Sequence, residues 1–274
     1  MRNVGRKLAF VLASSNHGTM IVNRFDSRMT GPDSGVGIGH QIFESGACDP
    51  ISVELTLQLL EQRRRFHGDG VVGIDCGANI GAHTIEWAAA MTGWGSVVAI
   101  EAQERIYYAL AGNIAINNCF NAIAMHAAVS SETGVMNIPS PDYLTASNFG
   151  ALALRPRESN EFIGQALDYS DAGTVPVQKI TLDALTLPRV DLIKIDVEGM
   201  ELEALEGAKQ TIERSRPILL AGSTESAREA SRAWMAERGY HVVEAGLNLL
   251  AIHKSDETLS QLQIAEAPAQ SSAA

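Results

Sequence analysis

Apolar runs rich in Val and Ile alternate with amphipathic stretches from residue 71 onward, and this alternation restricts the fold more than any other feature of the sequence. Strands are predicted at residues 71–75, 97–101, 123–129, 175–180, 191–196 and 217–221, and helices at residues 82–91, 105–117, 201–214 and 227–238. Strands that alternate with helices form parallel sheets covered on both faces. We therefore predict an α/β protein with a doubly wound, mostly parallel sheet.

The last two strands differ from the others because only a short turn joins them. Residues 241–244 and 249–253 flank a turn that contains Ala245 and Gly246. Strands connected this tightly pair antiparallel, whereas parallel neighbours need a longer crossover. The sequence therefore predicts an antiparallel C-terminal edge hairpin on an otherwise parallel sheet.

Charge and cysteine content narrow the class of protein. The chain of 274 residues has 21 Lys and Arg against 32 Asp and Glu. Because nucleic-acid affinity depends on Lys and Arg, we expect no nucleic-acid binding. Cys48, Cys76 and Cys119 are widely spaced, so neither a disulfide framework nor a zinc site is indicated, and a cytoplasmic location is expected. No apolar run approaches the roughly 20 residues of a membrane span.

A glycine-containing turn, DCGANIG at residues 75–81, follows the first strand. In open α/β sheets the ligand crevice lies at the carboxyl ends of the strands, and the loop after the first strand borders it. Gly77 and Gly81 would let a ligand approach the backbone, although they also fit a tight strand-to-helix turn without a ligand. Glu101 ends the next strand, 20 residues after Gly81, where a carboxylate binds a ribose diol.

The turn departs from the GxGxxG pattern of dinucleotide-binding proteins. Asn79 occupies the place of the second glycine, and Asp75 adds negative charge beside it. Both features disfavour a pyrophosphate, which needs close contact with backbone N–H groups. They favour a nucleoside with an amino-acid tail and a positive centre, because an acidic pocket stabilises a cation.

A second block, LIKIDVEG at residues 192–199, precedes a helix that contains Glu201. Together with residues 71–101, this block resembles the FkbM family of S-adenosylmethionine-dependent methyltransferases. The resemblance covers residues 71–221 well and the flanking segments more loosely. It implies a class I, Rossmann-like sheet of seven strands whose last pair forms the antiparallel edge.

The resemblance also implies positions for the cofactor S-adenosylmethionine. The residues expected around it are Asp75, Gly77, Asn79 and Gly81 at the methionine part, Glu101 at the ribose, and Ala128 and Val129 at the adenine. His83, in the first turns of the following helix, is expected to line the same pocket. Family members often carry an acidic residue where this chain has Ala221 and Gly222, so Glu225 is considered as a substitute.

The acceptor end of the site is predicted at the strand over residues 191–196. Asp196 would face the methyl group and act as the acceptor-positioning residue or general base, with Glu198 assisting it or holding the loop. Alternatively, Glu198 is a helix N-terminal charge and Lys194, on the same strand face as Asp196, a structural ion-pair partner.

Other polar residues are given less specific roles. His40 belongs to an N-terminal segment that could lie over the active site. His126 lies within a strand and is interpreted as structural, and Asp183 as a helix cap. No ligand spacing supports a metal site, so none is predicted.

These assignments divide the chain into segments. Residues 1–70 are interpreted as an N-terminal cap on the substrate side, and residues 71–254 as the methyltransferase domain. Residues 132–174 lack regular periodicity and are predicted to be an insertion over the active site that contains a hairpin. Residues 255–274 are rich in Gln, Ala, Ser and Glu, and a disordered tail is predicted there.

The predicted function is methyl transfer from S-adenosylmethionine to a hydroxyl of a small molecule or glycan, where the choice of oxygen rests on family analogy. One alternative is an NAD-dependent oxidoreductase on the same sheet, which Asn79 disfavours. The other is a non-catalytic nucleoside-binding module, which the presence of Asp75, Glu101 and Asp196 disfavours.

Overall fold

The computed structural model describes residues 7–32, 34–157, 160–222 and 225–261. Its strands are β1 (Phe10–Ser15), β2 (Gly18–Asn23), β3 (Arg28–Met29), β4 (Gly35–Val36), β5 (Val71–Cys76), β6 (Gly95–Glu101), β7 (Ala122–His126), β8 (Ala128–Val129), β9 (Gly134–Pro139), β10 (Thr174–Ile180), β11 (Leu192–Ile195), β12 (Ile218–Gly222), β13 (Tyr240–Ala245) and β14 (Asn248–His253). Its α-helices are α1 (Ile38–Ser45), α2 (Pro50–His67), α3 (Ala82–Ala90), α4 (Glu104–Ile116), α5 (Glu201–Glu206), α6 (Lys209–Ser215) and α7 (Glu225–Glu237). Short 3₁₀ helices lie at Phe149–Ala151, Leu182–Leu185 and Glu257–Gln261. Within these residues no helix is long and apolar enough to cross a membrane.

The central sheet has seven strands in the order β13-β14-β12-β11-β5-β6-β7. Strands β12, β11, β5, β6 and β7 run parallel, β14 pairs antiparallel with β12, and β13 completes an edge hairpin with β14. The predicted α/β sheet with an antiparallel C-terminal edge is thus confirmed. Because the strand order reverses between β5 and β11, their carboxyl ends border the crevice where such sheets bind ligands.

Alternate residues of the parallel strands pack on opposite faces of the central sheet. Leu192 and Leu220 belong to an apolar cluster with Leu60 of α2 and Trp87 of α3, whereas Ile193 packs on the other face with residues of α5, α6 and α7. With both faces covered, these strands are almost entirely apolar. A charged side chain on one of them needs a buried partner.

The chain leaves the central sheet after β7. The sequence predicts one strand over residues 123–129, but the structure has two, β7 and β8, which are separated at Ala127, whose backbone N–H makes the last hydrogen bond to β6, at the Glu101 carbonyl (3.1 Å). Strand β8 then pairs parallel with β10, and β9 pairs antiparallel with β10, in a separate three-stranded sheet. The strand predicted at residues 175–180 therefore belongs to this second sheet, where it forms a hairpin with β9.

The helix predicted at residues 201–214 is in fact two helices, α5 and α6, separated at Gly207. A Cβ atom on Gly207 would lie 2.0 Å from the carbonyl oxygen of Ser130, so only glycine allows the two backbones to pack this closely. The Asp183 carboxylate accepts two backbone N–H groups in the first turn of α6, at 2.7 and 3.0 Å. Its predicted capping role thus applies to α6.

The two ends of the described chain pack onto the central domain. Strands β1 and β2 form a hairpin against α4. At the other end, Asp256 forms an ion pair with the buried Arg63 of α2, and the last 3₁₀ helix follows it. Residues 255–261 are therefore folded, which corrects the predicted start of the disordered tail at residue 255, because Asp256 is one of the two carboxylates, with Asp191, that pair with the buried Arg63. Residues 262–274 lie outside the described residues.

Candidate functional site

A cavity of about 950 Å³ opens at the carboxyl ends of β5, β6 and β11. The loops after these strands line it with Gly77 and Asn79, Glu101 and Gln103, and Asp196 and Glu198. The N-terminal segment contributes Asp49 and Ser52, and the insertion contributes Asn148 and Glu161. The cavity thus lies at the switch point of the sheet, between the central domain and the two segments expected to shape an acceptor pocket.

Gly77 allows the loops after β5 and β11 to meet. Its φ angle is 72°, and a Cβ atom there would lie 1.8 Å from the carbonyl oxygen of Asp196. Gly81 has a φ angle of 95° and directly precedes α3, where its N–H donates to the Ala78 carbonyl (2.9 Å). Gly77 lines the cavity and Gly81 does not, so the turn interpretation left open for both glycines describes Gly81.

Glu101 is held rigidly at the end of β6. It is 5% exposed, and its two carboxylate oxygens accept the backbone N–H groups of Asn79 (2.9 Å) and Gln103 (2.8 Å). Burial raises the pKa of Glu101 to about 7, against these hydrogen bonds, which lower it. Asn79 has a left-handed backbone (φ 50°), and its own side-chain oxygen accepts the Ile80 N–H (2.8 Å). The turn therefore fixes a carboxylate at the cavity wall.

Gln103 is a lining residue that sequence reasoning missed. Its side-chain amide donates to the Phe149 carbonyl (2.9 Å), and its side-chain oxygen accepts the hydroxyl of Tyr143 (3.1 Å). Both partners belong to the insertion, so Gln103 fastens this segment beside Glu101. Its position two residues after Glu101, the carboxylate expected at the ribose, is the signal that could have identified it.

The part of the cavity wall where the adenine is expected is apolar. Ala128 and Val129 are both buried and line the cavity where sequence reasoning expects the adenine. His126, the last residue of β7, does not line the cavity. Its Nε2 atom is 3.0 Å from the Ala102 carbonyl, and its ring stacks on Tyr107, in agreement with a structural role.

Asp75 differs from its predicted placement beside the cofactor, because it lies beneath the cavity wall. Its side chain is completely buried, with Oδ2 accepting the Thr84 hydroxyl (2.7 Å) and Oδ1 3.3 Å from Nζ of Lys194. Lys194 Nζ is also 3.5 Å from Oδ2 of Asp196. Burial alone would lower the pKa of Lys194, but the two carboxylates raise it above its ordinary value. Asp75 therefore does not line the cavity and acts on it from below, through its ion pair with Lys194 and through its charge on Glu101 and His83.

Three carboxylates follow β11 at the cavity. Asp196 is half-exposed, whereas Glu198 is partly buried in a left-handed conformation (φ 41°). Burial first, and then the charges of Asp196 and Glu201, raise the pKa of Glu198 to about 8. Glu201, in the first turn of α5, accepts the Gly199 N–H (2.8 Å), so the helix N-terminal role considered for Glu198 belongs to Glu201 instead. Among the described residues no group of His, Cys, Asp and Glu is arranged to hold a metal ion.

Comparison with known proteins gives the family. The family model for the methyltransferase FkbM domain matches residues 75–242 of the chain. The chain belongs to the FkbM methyltransferase family. The resemblance predicted from the LIKIDVEG block is thus confirmed.

The individual relatives compared with this chain have low sequence identity to it. Methyltransferase sdnD of Sordaria araneosa is 28% identical over 160 residues, which are 50% of this chain and 60% of that protein. An FkbM methyltransferase structure from Methylobacillus flagellatus is 17% identical with a TM-score of 0.46, over 68% of this chain and 43% of its own. A precorrin-6y C5,15-methyltransferase structure from Geobacter metallireducens is 14% identical with a TM-score of 0.44, over 75% and 92%. The chain thus spans less than two thirds of the first two proteins.

The structure explains one departure of this FkbM family member from the pattern expected at the end of β12. A Cβ atom on Gly222 would lie 3.0 Å from Oδ1 of Asp196, so a larger side chain there would press on that carboxylate. Gly222 lines the cavity, whereas Ala221 is buried in the sheet. The side chain of Glu225, considered as a substitute, lies outside the described residues.

The two candidate histidines occupy different places. His83 lines the cavity, with Nε2 3.1 Å from the Ser52 hydroxyl and its ring edge-on to Trp87. Burial, helped by the charge of Lys194, lowers the pKa of His83 to about 3, so its ring is neutral. His40 does not line the cavity, and its ring packs beneath Gly35.

Proposed function

We propose that this FkbM family member transfers a methyl group from S-adenosylmethionine to a hydroxyl of a small molecule or glycan. The observation that carries the proposal is a single cavity that joins the buried carboxylate of Glu101 to the half-exposed carboxylate of Asp196. The Glu101 carboxylate suits a ribose, and the Asp196 carboxylate suits an acceptor hydroxyl. The family sets the reaction class, while the oxygen acceptor rests on analogy.

The residues present fit the cofactor. Each oxygen of Glu101 accepts one backbone N–H and retains a lone pair for a ribose hydroxyl. Ala128 and Val129 offer an apolar surface to the purine, and Gly77 exposes its backbone to the methionine part. The carboxylates of the cavity favour a ligand that carries a sulfonium and an ammonium group. When bound, the cofactor supplies an electrophilic methyl group.

Asp196 is the residue we assign to the acceptor. Methyl transfer is an in-line displacement that gains most of its rate when the acceptor oxygen is held about 3 Å from the methyl carbon. The Asp196 carboxylate orients the hydroxyl and accepts its proton, and Lys194, 3.5 Å away, holds that carboxylate in place. Glu198 is protonated near neutral pH, since burial raises its pKa to about 8, so it assists by donating a hydrogen bond.

The mouth of the cavity indicates the kind of molecule that enters. Ile51 at the start of α2 is 85% exposed and Leu247 in the β13–β14 turn is 84% exposed, and both line the opening. Large apolar side chains exposed beside a cavity are typical of ligand-binding surfaces. They favour an organic acceptor with an apolar part.

A labelling experiment tests the proposed reaction. The protein is incubated with methyl-labelled S-adenosylmethionine and fractions of an extract from the organism that encodes it. We expect label in a discrete product, and Asp196→Asn should lower its rate of formation about 100-fold or more. Asp69→Asn, which changes an exposed carboxylate outside the cavity, is the matched control. Equal rates for wild type and Asp196→Asn would remove Asp196 from the mechanism.

A cytoplasmic location and an acceptor other than nucleic acid are part of the same proposal. Cys48, Cys76 and Cys119 are free thiols, as is usual in a reducing compartment. The carboxylates at the cavity would repel a phosphate backbone. Total RNA added to the labelling assay tests the second point, because label in the RNA would contradict it.

A further inference from the structure

Four carboxylates form an acidic cluster at the acceptor end of the cavity, and all of them line it: Asp196, Glu198, Glu201 and Glu161. They act on one another, because the charges of the other three raise the pKa of Glu198 beyond the effect of burial. Like charges held this close in a partly buried site are unfavourable unless a positive group compensates them. The acidic cluster therefore needs a positive group beside it.

Glu201 supplies an independent indication of a ligand. Its side chain is only 3% exposed, and Oε1 accepts the Gly199 N–H at 2.8 Å. Its other oxygen, Oε2, is buried and has no hydrogen-bond partner in the described part of the chain. Buried carboxylate oxygens in native proteins are almost always paired. Since Glu201 lines the cavity, a donor on a bound molecule would provide the missing partner.

The cations near the acidic cluster do not neutralise it. Lys194 is shared between Asp75 and Asp196, and Arg28 pairs with Glu161 at 2.5 Å. Arg157 does not line the cavity, but its guanidinium lies beside Gly199 and lowers the pKa of both Glu198 and Glu201, in each case less than burial raises it. Because Glu198 is protonated near neutral pH, the four other carboxylates, counting Asp75 with the cluster, face three cations, which leaves one negative charge in excess.

Resting on the proposed function, we propose that the methyl acceptor carries a protonated amine near the hydroxyl that is methylated, and that Glu201 accepts an N–H group of this amine. The ammonium donates to the unpaired oxygen of Glu201 and offsets the negative excess of the cluster. A carboxylate or phosphate at the same place would be repelled.

This arrangement also selects the methylated atom. A protonated amine has no lone pair and cannot attack the methyl group, whereas the neighbouring hydroxyl can. The hydroxyl oxygen forms the new bond to the methyl carbon, the sulfur leaves with the electron pair of the broken bond, and the hydroxyl proton passes to Asp196. The amine leaves unmethylated.

The charge of the labelled product tests the inference. The labelled product from the extract is passed over a cation exchanger at pH 7, and a second portion of extract is treated with acetic anhydride before the reaction. We expect the product to be retained, and acetylation of amines to abolish its formation. A labelled product that flows through the exchanger, or that forms equally after acetylation, would overturn the inference while leaving the methyltransferase intact. If no fraction is labelled, the proposed function fails and the inference with it.

A variant links the result to Glu201. Glu201→Gln keeps an oxygen for the Gly199 N–H but removes the charge, so the KM for the purified acceptor should rise roughly 10- to 100-fold, as for loss of a charged hydrogen bond. Affinity for S-adenosylhomocysteine should stay unchanged, which separates this effect from misfolding. Glu203→Gln, in the same turn of α5 and paired with Arg155, is the matched control and should behave as wild type. An unchanged KM in Glu201→Gln would contradict the assignment.

Discussion

Replacement of Lys194 by methionine tests the buried charge chain beneath the cavity. In the wild type, Lys194 Nζ lies 3.3 Å from Oδ1 of Asp75, a completely buried carboxylate whose other oxygen accepts the Thr84 hydroxyl. Lys194→Met leaves this charge inside the protein without a cation. Removal of one partner from a buried ion pair lowers the free energy of unfolding by about 3–5 kcal/mol. Urea unfolding followed by tryptophan fluorescence measures it, since Trp87 is buried against β5.

A double-mutant cycle shows whether the pair itself is responsible. Asp75→Asn leaves Lys194 with Asp196 as partner, so its loss should be smaller, about 1–3 kcal/mol. The double variant should be more stable than the sum of the single losses predicts, with a coupling of about 1–3 kcal/mol. Lys179→Met, which breaks a pair whose carboxylate, Glu132, is 73% exposed, is the control and should lose less than about 1 kcal/mol. Additive losses, or a loss in Lys194→Met no larger than in the control, would refute the reasoning.

Two further predictions concern the loops around the cofactor region. Gly77→Ala should lower the free energy of unfolding by more than about 3 kcal/mol in chemical denaturation, because its Cβ would meet the Asp196 carbonyl at 1.8 Å. Gly93 also has a positive φ, but a Cβ there would have no atom within 4 Å, so Gly93→Ala should lower the free energy of unfolding by only about 1 kcal/mol. If the two lose equally, the close approach is not what requires glycine. Burial raises the pKa of Glu101 from 4.5 to about 7. As the pH rises, the Glu101 carboxyl therefore ionises in the unfolded chain before it ionises in the folded protein. The folded state is destabilised progressively between these pH values, by up to about 3 kcal/mol. Glu101→Gln should have a flatter profile of unfolding free energy over pH 4.5 to 7, and a parallel profile would contradict the raised pKa.

The sequence allowed the central sheet to be predicted because its information is local. Apolar strands alternate with helices, and the turn at Ala245 and Gly246 is too short for anything but an antiparallel pair. The partner of a strand is not local information. Residues 175–180 have the same pattern as the central strands, yet they pair with β8 and β9. Likewise, only the packed structure reveals that Ser130 lies against Gly207 and divides a continuous helical pattern.

For the site too, some residues could be predicted from local sequence and others only from the packed structure. Glu101 and Gly77 reach the cavity because the end of a parallel strand always faces the crevice, and the predictions of their roles rest on that rule. Asp75 is the residue before the last of β5, and its side chain lies below the cavity wall beside Thr84, which the spacing of residues does not reveal. The sequence does not predict Glu201 as a lining residue, because acidic residues are common in the first turn of a helix. Its unpaired oxygen is visible only once its surroundings are known.

Calorimetric titration of S-adenosylhomocysteine tests the central claim most directly. The account predicts a saturable single site in the wild type, no comparable heat with NADH, and a loss of affinity of about 100-fold in Glu101→Ala, which removes the acceptor of two ribose hydroxyls. Glu104→Ala, which changes a nearby carboxylate that does not line the cavity, should bind as the wild type does. Tighter binding of NADH than of S-adenosylhomocysteine, or unchanged affinity in Glu101→Ala, would contradict the assignment of this cavity to the methyl donor.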